Sequence, residues 1–202
     1  MYIYGAGGHA KVIIEILEAQ GVRVRGVFDD NPNGDQLLGY PLFKGCRLDL
    51  LEEDRLIIAI GDNVARQCVV ERLRLPVDNF GTAVHPGAII SKRAKIGKGT
   101  VVMQGAVTNS CTRIGVHSIV NTGATIDHDG VVGDFCHISP HATICGGVTV
   151  GDCTQIGAGS VVIPGVHIGS HTLIGAGSVV VTDIPDNVLA YGNPCRIVRM
   201  RR

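Results

Sequence analysis

The chain carries two patterns of hydrophobic residues, and one gives way to the other near residue 80. In the first part, short apolar runs at residues 2–4 and 56–60 indicate buried strands, and residues 22–28 alternate as a strand. Residues 9–19 have apolar positions at helical spacing, and residues 64–73 form a second candidate helix. Strand–helix–strand order predicts a small parallel α/β unit over residues 1–80.

From Val84 onward the hydrophobic pattern has a period of six. Every sixth residue through Val180 is valine or isoleucine, except Thr108, and a small residue usually follows four positions later. This period is typical of hexapeptide β-helices, in which each hexad supplies a short strand and a tight turn. Three hexads close a coil of 18 residues, and coils stack at about 4.8 Å. We therefore expect residues 81–202 to form one parallel β-helix with a C-terminal tail.

Composition narrows the class of protein. The 18 basic and 18 acidic residues give a net charge of zero, which argues against binding to nucleic acid or an anionic membrane. The seven cysteines show no C-x-x-C spacing and are expected to be free thiols in a reducing compartment. No signal peptide and no apolar run of the roughly 18 residues that a membrane span needs are visible, so we expect a cytoplasmic protein.

A histidine between two aspartates, Asp127-His128-Asp129, interrupts the apolar repeat. His128 comes two residues after an inward isoleucine, so its side chain should point outward. One coil later lies Gly146, which predicts open space beside His128 and a backbone N–H available to an oxyanion. Histidine suits a general base near neutral pH, and an adjacent carboxylate can orient it. The repeat therefore predicts His128 as a base with Asp129 as its partner, while Asp127 has no assigned role.

The segment GAGGHA, residues 5–10, lies between the first strand and the first helix. A glycine turn at a helix N-terminus favours phosphate, and Asp29 and Asp30 end the next strand, where an acidic side chain can bind ribose or base. In isolation, this motif indicates a nicotinamide dinucleotide site. The unit is only about half the size of a dinucleotide fold, however, and is joined to a β-helix, so a mononucleotide half-site fits better.

These features together resemble a known family. Residues 84–180 resemble the left-handed parallel β-helix of hexapeptide-repeat acyltransferases, and residues 181–199 are similar to that family's closing segment. YGAGGHAKVIIEIL, followed by VFDDN and IAIGDN, is similar to bacterial acetyltransferases that modify nucleotide-linked amino sugars. Examples are UDP-4-amino-sugar N-acetyltransferases and sialic acid O-acetyltransferases. The implied fold is an α/β N-terminal Rossmann-like half domain (1–80) plus a left-handed parallel β-helix (81–202).

The resemblance implies an acetyl-CoA-dependent N-acetyltransferase that acts on the amine of a UDP-linked 4-amino-deoxy sugar by direct transfer. It also implies a homotrimer with active sites between subunits, and no metal. His128-Asp129 matches the family's base, with aspartate in place of the usual glutamate. The acetyl-CoA site would comprise His137, Gly146, Gly157, Ala158, Gly175 and Ala176. The nucleotide-sugar site would comprise Gly7, Gly8, His9, Asp29, Asp30, Gly61 and Asn63.

The remaining histidines fall at turn positions of the repeat and are expected to be solvated rather than metal ligands: His85, His117, His141, His167 and His171. Three other functions stay open. The same base could acetylate a hydroxyl of sialic acid or another sugar. A non-catalytic scaffold would bind a nucleotide without acetyl-CoA turnover, and a dehydrogenase would bind NAD(P) instead of UDP.

Overall fold

The chain folds into a small α/β unit followed by a three-sided β-helix in the computed structural model, which describes residues 1–51 and 54–201. One five-stranded sheet forms the centre of the α/β unit, with strands β1 (Tyr2–Tyr4), β2 (Gly26–Asp29), β3 (Gln36–Leu37), β4 (Tyr40–Lys44) and β5 (Leu56–Ile58). Their order is β3-β4-β2-β1-β5, and all neighbours are parallel except the β3–β4 hairpin. The helices of this unit are α1 (Gly8–Ala19) and α2 (Asn63–Leu73), with 3₁₀ turns at Leu48–Leu50 and Val77–Asn79.

Local chemistry explains where α1 ends and where α2 begins. α1 ends before Gly21, whose φ of +68° lets the chain turn back so that the Val22 N–H bonds the Leu17 carbonyl at 2.9 Å. α2 begins after Asp62, whose side chain accepts the Ala65 N–H at 2.8 Å. The predicted parallel α/β unit is confirmed. The strand predicted from residue 22 begins only at Gly26, and β3 and β4 were not predicted.

The β-helix has three flat faces, each a ladder of two-residue strands. Face A contains β6 (Ala83–Val84), β9 (Val101–Val102), β12 (Ile119–Val120), β15 (His137–Ile138), β18 (Gln155–Ile156) and β21 (Leu173–Ile174). Face B contains β7 (Ile89–Ile90), β10 (Val107–Thr108), β13 (Thr125–Ile126), β16 (Thr143–Ile144), β19 (Val161–Val162) and β22 (Val179–Val180). Face C contains β8 (Lys95–Ile96), β11 (Arg113–Ile114), β14 (Val131–Val132), β17 (Thr149–Val150) and β20 (His167–Ile168).

Strands within a face pair in parallel with the strand 18 residues later, which confirms the predicted coil. The second residue of each strand points into the core, and all are buried from Val102 onward. The small residues four positions later are buried as well, and their hydroxyls bind the next coil, as in the 2.9 Å bond from Ser118 Oγ to the Gly133 carbonyl. Two further strands, β23 (Val188–Tyr191) and β24 (Arg196–Met200), extend face A.

Turns between the faces form three edges of the prism, named here by the faces that they join. The A–B edge contains the turns at residues 121–124, 139–142, 157–160 and 175–178, and the B–C edge contains those at 109–112, 127–130 and 145–148. The C–A edge contains the turns at 115–118, 133–136, 151–154 and 169–172. Because the cross-section is a triangle, the B–C edge lies opposite face A.

The α/β unit covers face A. Ile13 and Ile16 of α1 share one apolar cluster with Val101, Met103 and Ile119 on that face. The two parts of the chain therefore share a core rather than being joined by a free linker. Within the residues described, neither helix has the length and apolar character needed to cross a bilayer.

Candidate active site

His128 lies in the turn after β13, on the B–C edge, with its side chain 63% exposed. Its Nδ1 is 2.9 Å from Oδ2 of Asp129. Asp129 has a left-handed backbone, with a φ of +57°, which brings this carboxylate to the imidazole despite its short side chain. The hydrogen bond to Asp129 raises the pKa of His128, and the charge of Asp127 adds to the rise. An Nδ1–H donated to Asp129 leaves Nε2 free to accept a proton.

The structure corrects the prediction of open space over Gly146. A Cβ at Gly146 would lie 2.6 Å from both Cε1 and Nε2 of His128, so the imidazole itself occupies that space. Glycine at this position lets the imidazole lie flat on the next coil. The open space is next door, because a Cβ at Gly147 would meet nothing within 4 Å.

Backbone N–H groups at the second turn position differ between edges. On the C–A edge they are bound by aspartates, as where Asp134 Oδ1 accepts the Val116 N–H at 2.7 Å and Asp186 Oδ1 accepts that of Ser170 at 2.7 Å. In the described part of the chain, no acceptor takes the equivalent N–H at three predicted acetyl-CoA positions: Gly146, Ala158 and Ala176. These three donors are therefore available to a ligand.

Gly157 and Gly175, also predicted to bind acetyl-CoA, have a structural role of their own. A Cβ at Gly157 would lie 2.5 Å from the Ala176 nitrogen, and one at Gly175 would lie 2.7 Å from Cβ of Tyr191. Both glycines are thus required by the close approach of the next coil, and their contact with acetyl-CoA stays a prediction.

An open cleft of about 450 Å³ lies at the carboxyl ends of β1, β2 and β5. Its lining includes six of the seven residues predicted to contact the nucleotide sugar: Gly7, Gly8, His9, Asp29, Asp30 and Gly61. α1 begins in this lining without a side-chain cap, and no acceptor in the described chain takes the N–H groups of Gly8 and His9. Helix N-termini with unbonded N–H groups favour anionic ligands.

The two cleft aspartates have different partners. Asp29 accepts the backbone N–H of Ala6 at 2.7 Å and that of Asn31 at 2.8 Å, so it stabilises the glycine turn. Asp30 accepts the Tyr4 hydroxyl at 2.6 Å and pairs with Arg72 at 3.0 Å. Arg72 also lies over the Tyr4 ring, 5.7 Å from its centroid. Sequence reasoning missed Arg72 as the partner of Asp30, because nothing in α2 indicated which of its side chains approach β1 and β2.

Asn63 is absent from the cleft lining. Its Oδ1 accepts a 2.7 Å hydrogen bond from Arg66, whose guanidinium is fully buried. Arg66 also donates to the carbonyls of Gly61, His117 and Phe135, and burial lowers its pKa to about 10. Arg66 therefore links the loop at Gly61, in the cleft lining, to the C–A edge of the β-helix. Asn63 supports this link because it accepts a hydrogen bond from Arg66.

Two half-buried histidines, His9 of α1 and His137 of face A, lie close together. His137 Nε2 is 2.9 Å from Asn121 Nδ2, and burial lowers the pKa of His137 to about 4. His9 is close enough for its charge to interact with that of His137, and burial lowers the pKa of His9 to about 4. Its Nε2 is buried and has no hydrogen-bond partner among residues 1–51 and 54–201. Both imidazoles are neutral at neutral pH. His137 thus lies beside the cleft residue His9, and its predicted contact with acetyl-CoA stays a prediction.

His117 corrects another expectation, because it is buried rather than solvated. Its ring stacks on Phe135 at a centroid distance of 5.2 Å and meets Phe80 edge-on at 4.5 Å. Phe135 lies 18 residues after His117, so counting one coil ahead could have revealed the stack. In residues 1–51 and 54–201, no group of three or more His, Cys, Asp or Glu side chains could hold a metal ion.

Comparisons with known proteins agree with this arrangement. The PglD N-terminal domain model matches residues 1–73, and the bacterial transferase hexapeptide model (six repeats) matches residues 147–182. A histidine-to-asparagine mutant of perosamine N-acetyltransferase from Caulobacter crescentus, in complex with CoA and GDP-perosamine, is 42% identical over 98% of this chain and 96% of that chain, with a TM-score of 0.91. The acetyltransferase domain of PglB from Neisseria gonorrhoeae FA1090, in complex with acetyl coenzyme A, is 33% identical over 98% of both chains, with a TM-score of 0.88.

Among curated proteins, UDP-N-acetylbacillosamine N-acetyltransferase of Bacillus subtilis (strain 168) is 44% identical over 103 residues. That match spans 48% of this chain and 48% of the relative, about half of each. The three-sided β-helix and the match to the hexapeptide model place the chain in the class of hexapeptide-repeat acyltransferases. Within that class, the chain belongs to the family of sugar N-acetyltransferases with a PglD-type N-terminal domain.

Proposed function

We propose that the protein transfers an acetyl group from acetyl-CoA to the amine of a nucleotide-linked 4-amino sugar, with His128 as general base. The observation that carries this proposal is the exposed His128–Asp129 pair, 2.9 Å apart, beside the unbonded Gly146 N–H. The relatives support it, since they include structures with CoA, acetyl coenzyme A and GDP-perosamine. Their names include both UDP and GDP sugars, so the UDP-linked acceptor expected from the sequence is the finer part of the proposal.

In the proposed reaction, the sugar amine attacks the thioester carbonyl and forms a C–N bond. Nε2 of His128 takes the proton that the amine loses, and Asp129 stabilises the resulting imidazolium. The Gly146 N–H donates to the oxyanion. The C–S bond then breaks, and the CoA thiolate leaves and takes the proton from His128.

The two parts of the chain divide the work in this proposal. Residues 1–80 bind the nucleotide sugar, with the diphosphate at the uncapped start of α1. Residues 81–202 bind acetyl-CoA and carry the base. The neutral His9 in the cleft lining lies near the sugar.

One chain alone keeps the cleft and the base apart. The α/β unit covers face A, whereas His128 lies on the B–C edge, on the opposite side of the triangular prism. The acceptor bound in the cleft therefore reaches a His128 only if a second subunit supplies it. This separation supports the homotrimer with active sites between subunits that the family resemblance implies.

Face B is the surface best suited to the trimer contact. Its outward residues are uncharged: Ile89, Val107, Thr125, Thr143, Val161 and Val179. Face C presents Lys95, Arg113 and His167 instead, all exposed. Apolar patches of this kind mark contacts between proteins, and rotational symmetry would bring one patch onto its copies.

With face B around a threefold axis, the B–C edge of each subunit meets the A–B edge of the next. His128 and Gly146 of one subunit then face the unbonded N–H groups of Ala158 and Ala176 of its neighbour. The A–B edge also borders the face that carries the neighbour's cleft. A single arrangement thus unites the base, the acetyl-CoA positions and the nucleotide-sugar site.

A CoA-release assay tests the proposal. The acceptor panel contains UDP- and GDP-linked 4-amino sugars, free sialic acid and CMP-sialic acid, which separates N-acetylation from O-acetylation. Replacement of His128 by Ala should lower kcat by roughly 10²–10⁴-fold, the usual contribution of a general base. The control His167→Ala, at an exposed histidine of face C, should keep the wild-type rate.

Other results would point elsewhere. Near wild-type turnover by the His128→Ala variant would refute the assignment of the base. No turnover with any acceptor would favour the binding scaffold, and a thermal shift with NAD(P) but none with UDP or GDP would favour the dehydrogenase.

A further inference from the structure

The carboxylate of Asp127 is bound from two successive coils. Its Oδ1 accepts the backbone N–H of His128 at 2.8 Å and the side-chain amide of Asn109 at 2.7 Å. Asn109 stands 18 residues earlier, at the same turn position one coil below. Asp127 is therefore a half-exposed turn residue whose carboxylate is held next to the base by two hydrogen bonds.

The rest of this turn is held by backbone and core groups. The Asp129 N–H bonds the Ser110 carbonyl at 3.0 Å, the His128 carbonyl accepts the Gly147 N–H at 2.9 Å, and the Asp127 carbonyl accepts Thr112 Oγ1 at 2.8 Å. The His128 N–H is the donor in this turn that depends on a side chain. The equivalent N–H of Gly146 has no such acceptor within the described chain.

The charges around His128 come from its own turn. Asp127 and Asp129 are the carboxylates beside the imidazole. The turn below presents Asn109, Ser110 and Cys111, and the turn above presents Cys145 and Gly146. The hydrogen bonds from Asn109 and from the His128 N–H lower the pKa of Asp127, so this carboxylate stays ionised at neutral pH.

We propose that Asp127, held by Asn109, is a positioning residue for His128. It fixes the backbone of His128 so that the imidazole lies over Gly146, with Nδ1 at Asp129 and Nε2 left to accept a proton. Its charge also favours the imidazolium that forms during acetyl transfer. This inference rests on the proposed function and assigns a role to a residue pair that the family motif leaves out.

Three substitutions separate position from charge. Asp127→Asn keeps an acceptor oxygen and removes the charge, Asn109→Ala keeps the charge and removes the restraint, and Asp127→Ala removes both. The matched control is Asp134→Ala, which removes a carboxylate that caps the Val116 N–H on the C–A edge, away from His128. Thermal unfolding identifies any variant that fails to fold.

The readout is the pH profile of kcat, together with KM for both substrates. His128 acts in its neutral form, and a nearby negative charge favours the imidazolium. Loss of the Asp127 charge should therefore move the acidic limb of the profile to lower pH in Asp127→Asn and Asp127→Ala. Loss of the restraint on the His128 backbone should lower the plateau value of kcat by about tenfold in Asn109→Ala and Asp127→Ala. The KM values for both substrates should stay unchanged.

The control Asp134→Ala should keep the wild-type profile. If Asp127→Ala and Asn109→Ala folded normally and also kept the wild-type limb and plateau, the positioning role would be refuted. If the His128→Ala variant were inactive at the same time, the proposed function would still hold and only the role of Asp127 would be lost. An active His128→Ala variant would overturn the base assignment itself.

Discussion

Single residues of one type take opposite roles in this chain, according to their surroundings. The exposed His128 has a carboxylate partner that raises its pKa, whereas burial lowers the pKa of His9, His117 and His137 to about 4. Distance from the prism core and contact with the α/β unit decide which case applies. The hexad repeat predicts the exposed position of His128. It does not predict the lowered pKa values of the other histidines, because it does not show which turns the α/β unit covers.

The three histidines with lowered pKa values, His9, His117 and His137, should make the protein sensitive to acid. In the unfolded chain they titrate near pH 6.5, whereas in the folded protein they stay neutral down to about pH 4. Between these values the unfolded state binds more protons, so the free energy of unfolding should fall as pH drops from 6.5 toward 4. Urea unfolding at several pH values measures this slope.

His117→Phe is the variant that isolates one of these groups. Phenylalanine keeps the aromatic contacts with Phe80 and Phe135 and removes Nδ1, a buried nitrogen that no described residue hydrogen-bonds. The pH dependence of stability should become shallower in this variant. An unchanged slope would mean that His117 does not contribute to it.

At the scale of elements, the hexad repeat predicts the β-helix strand by strand. One inward aliphatic residue per hexad fixes the side of every strand from β6 to β22, and addition of 18 identifies the neighbour of each turn residue. The same count places Asn109 under Asp127 and Phe135 over His117. The α/β unit is less predictable. No residue of β3 or β4 is fully buried, and β4 contains Pro41, so the two strands lack the apolar alternation that identifies a strand.

The turns predict different outcomes for two glycine substitutions. A methyl group at Gly146 would meet the exposed imidazole of His128 at 2.6 Å, a side chain that can rotate away. Gly146→Ala should therefore displace the imidazole and lower kcat by at least tenfold with little change in Tm.

Gly133→Ala is the matched comparison on the C–A edge. Its methyl group would meet Oδ1 of Asp152 first and also the Asp152 backbone nitrogen at 2.9 Å, and this backbone cannot move aside as a side chain can. This variant should lose about 1–3 kcal/mol of stability, the usual cost of overpacking, seen as a lower Tm. Equal Tm values for the two variants would contradict this distinction between side-chain and backbone neighbours.

At the scale of the whole molecule, the three faces of the prism have three different surfaces. Face A is covered by the α/β unit, face C presents basic side chains and face B is uncharged. The sequence contains this difference in the first residue of each strand. It does not show that the α/β unit lies on face A, because that contact depends on the orientation of α1 and on the buried Arg66.

The uncharged face leads to a prediction on assembly. Val161→Arg would place a charge on β19, the fifth of the six strands of face B, and Val131→Arg would place the same charge on β14, the middle strand of face C. Only the first should dissociate the proposed trimer, because an unpaired charge in an apolar contact is costly. Sedimentation or light scattering measures the mass, and the CoA-release assay should show loss of activity in the same variant. A trimer that survived Val161→Arg and dissociated with Val131→Arg would place the contact on face C.

The stacking of coils sets the position of His128 in fixed steps. Removal of one complete coil of 18 residues would move every later residue by about 4.8 Å along the prism and leave each on its own face. The β-helix thus sets the spacing along the prism between the His128 turn and the Ala158 and Ala176 turns in whole coils. Shifts of the imidazole smaller than one coil spacing must come from side-chain contacts. In the proposed role of Asp127, the Asn109–Asp127 pair controls such a shift at His128.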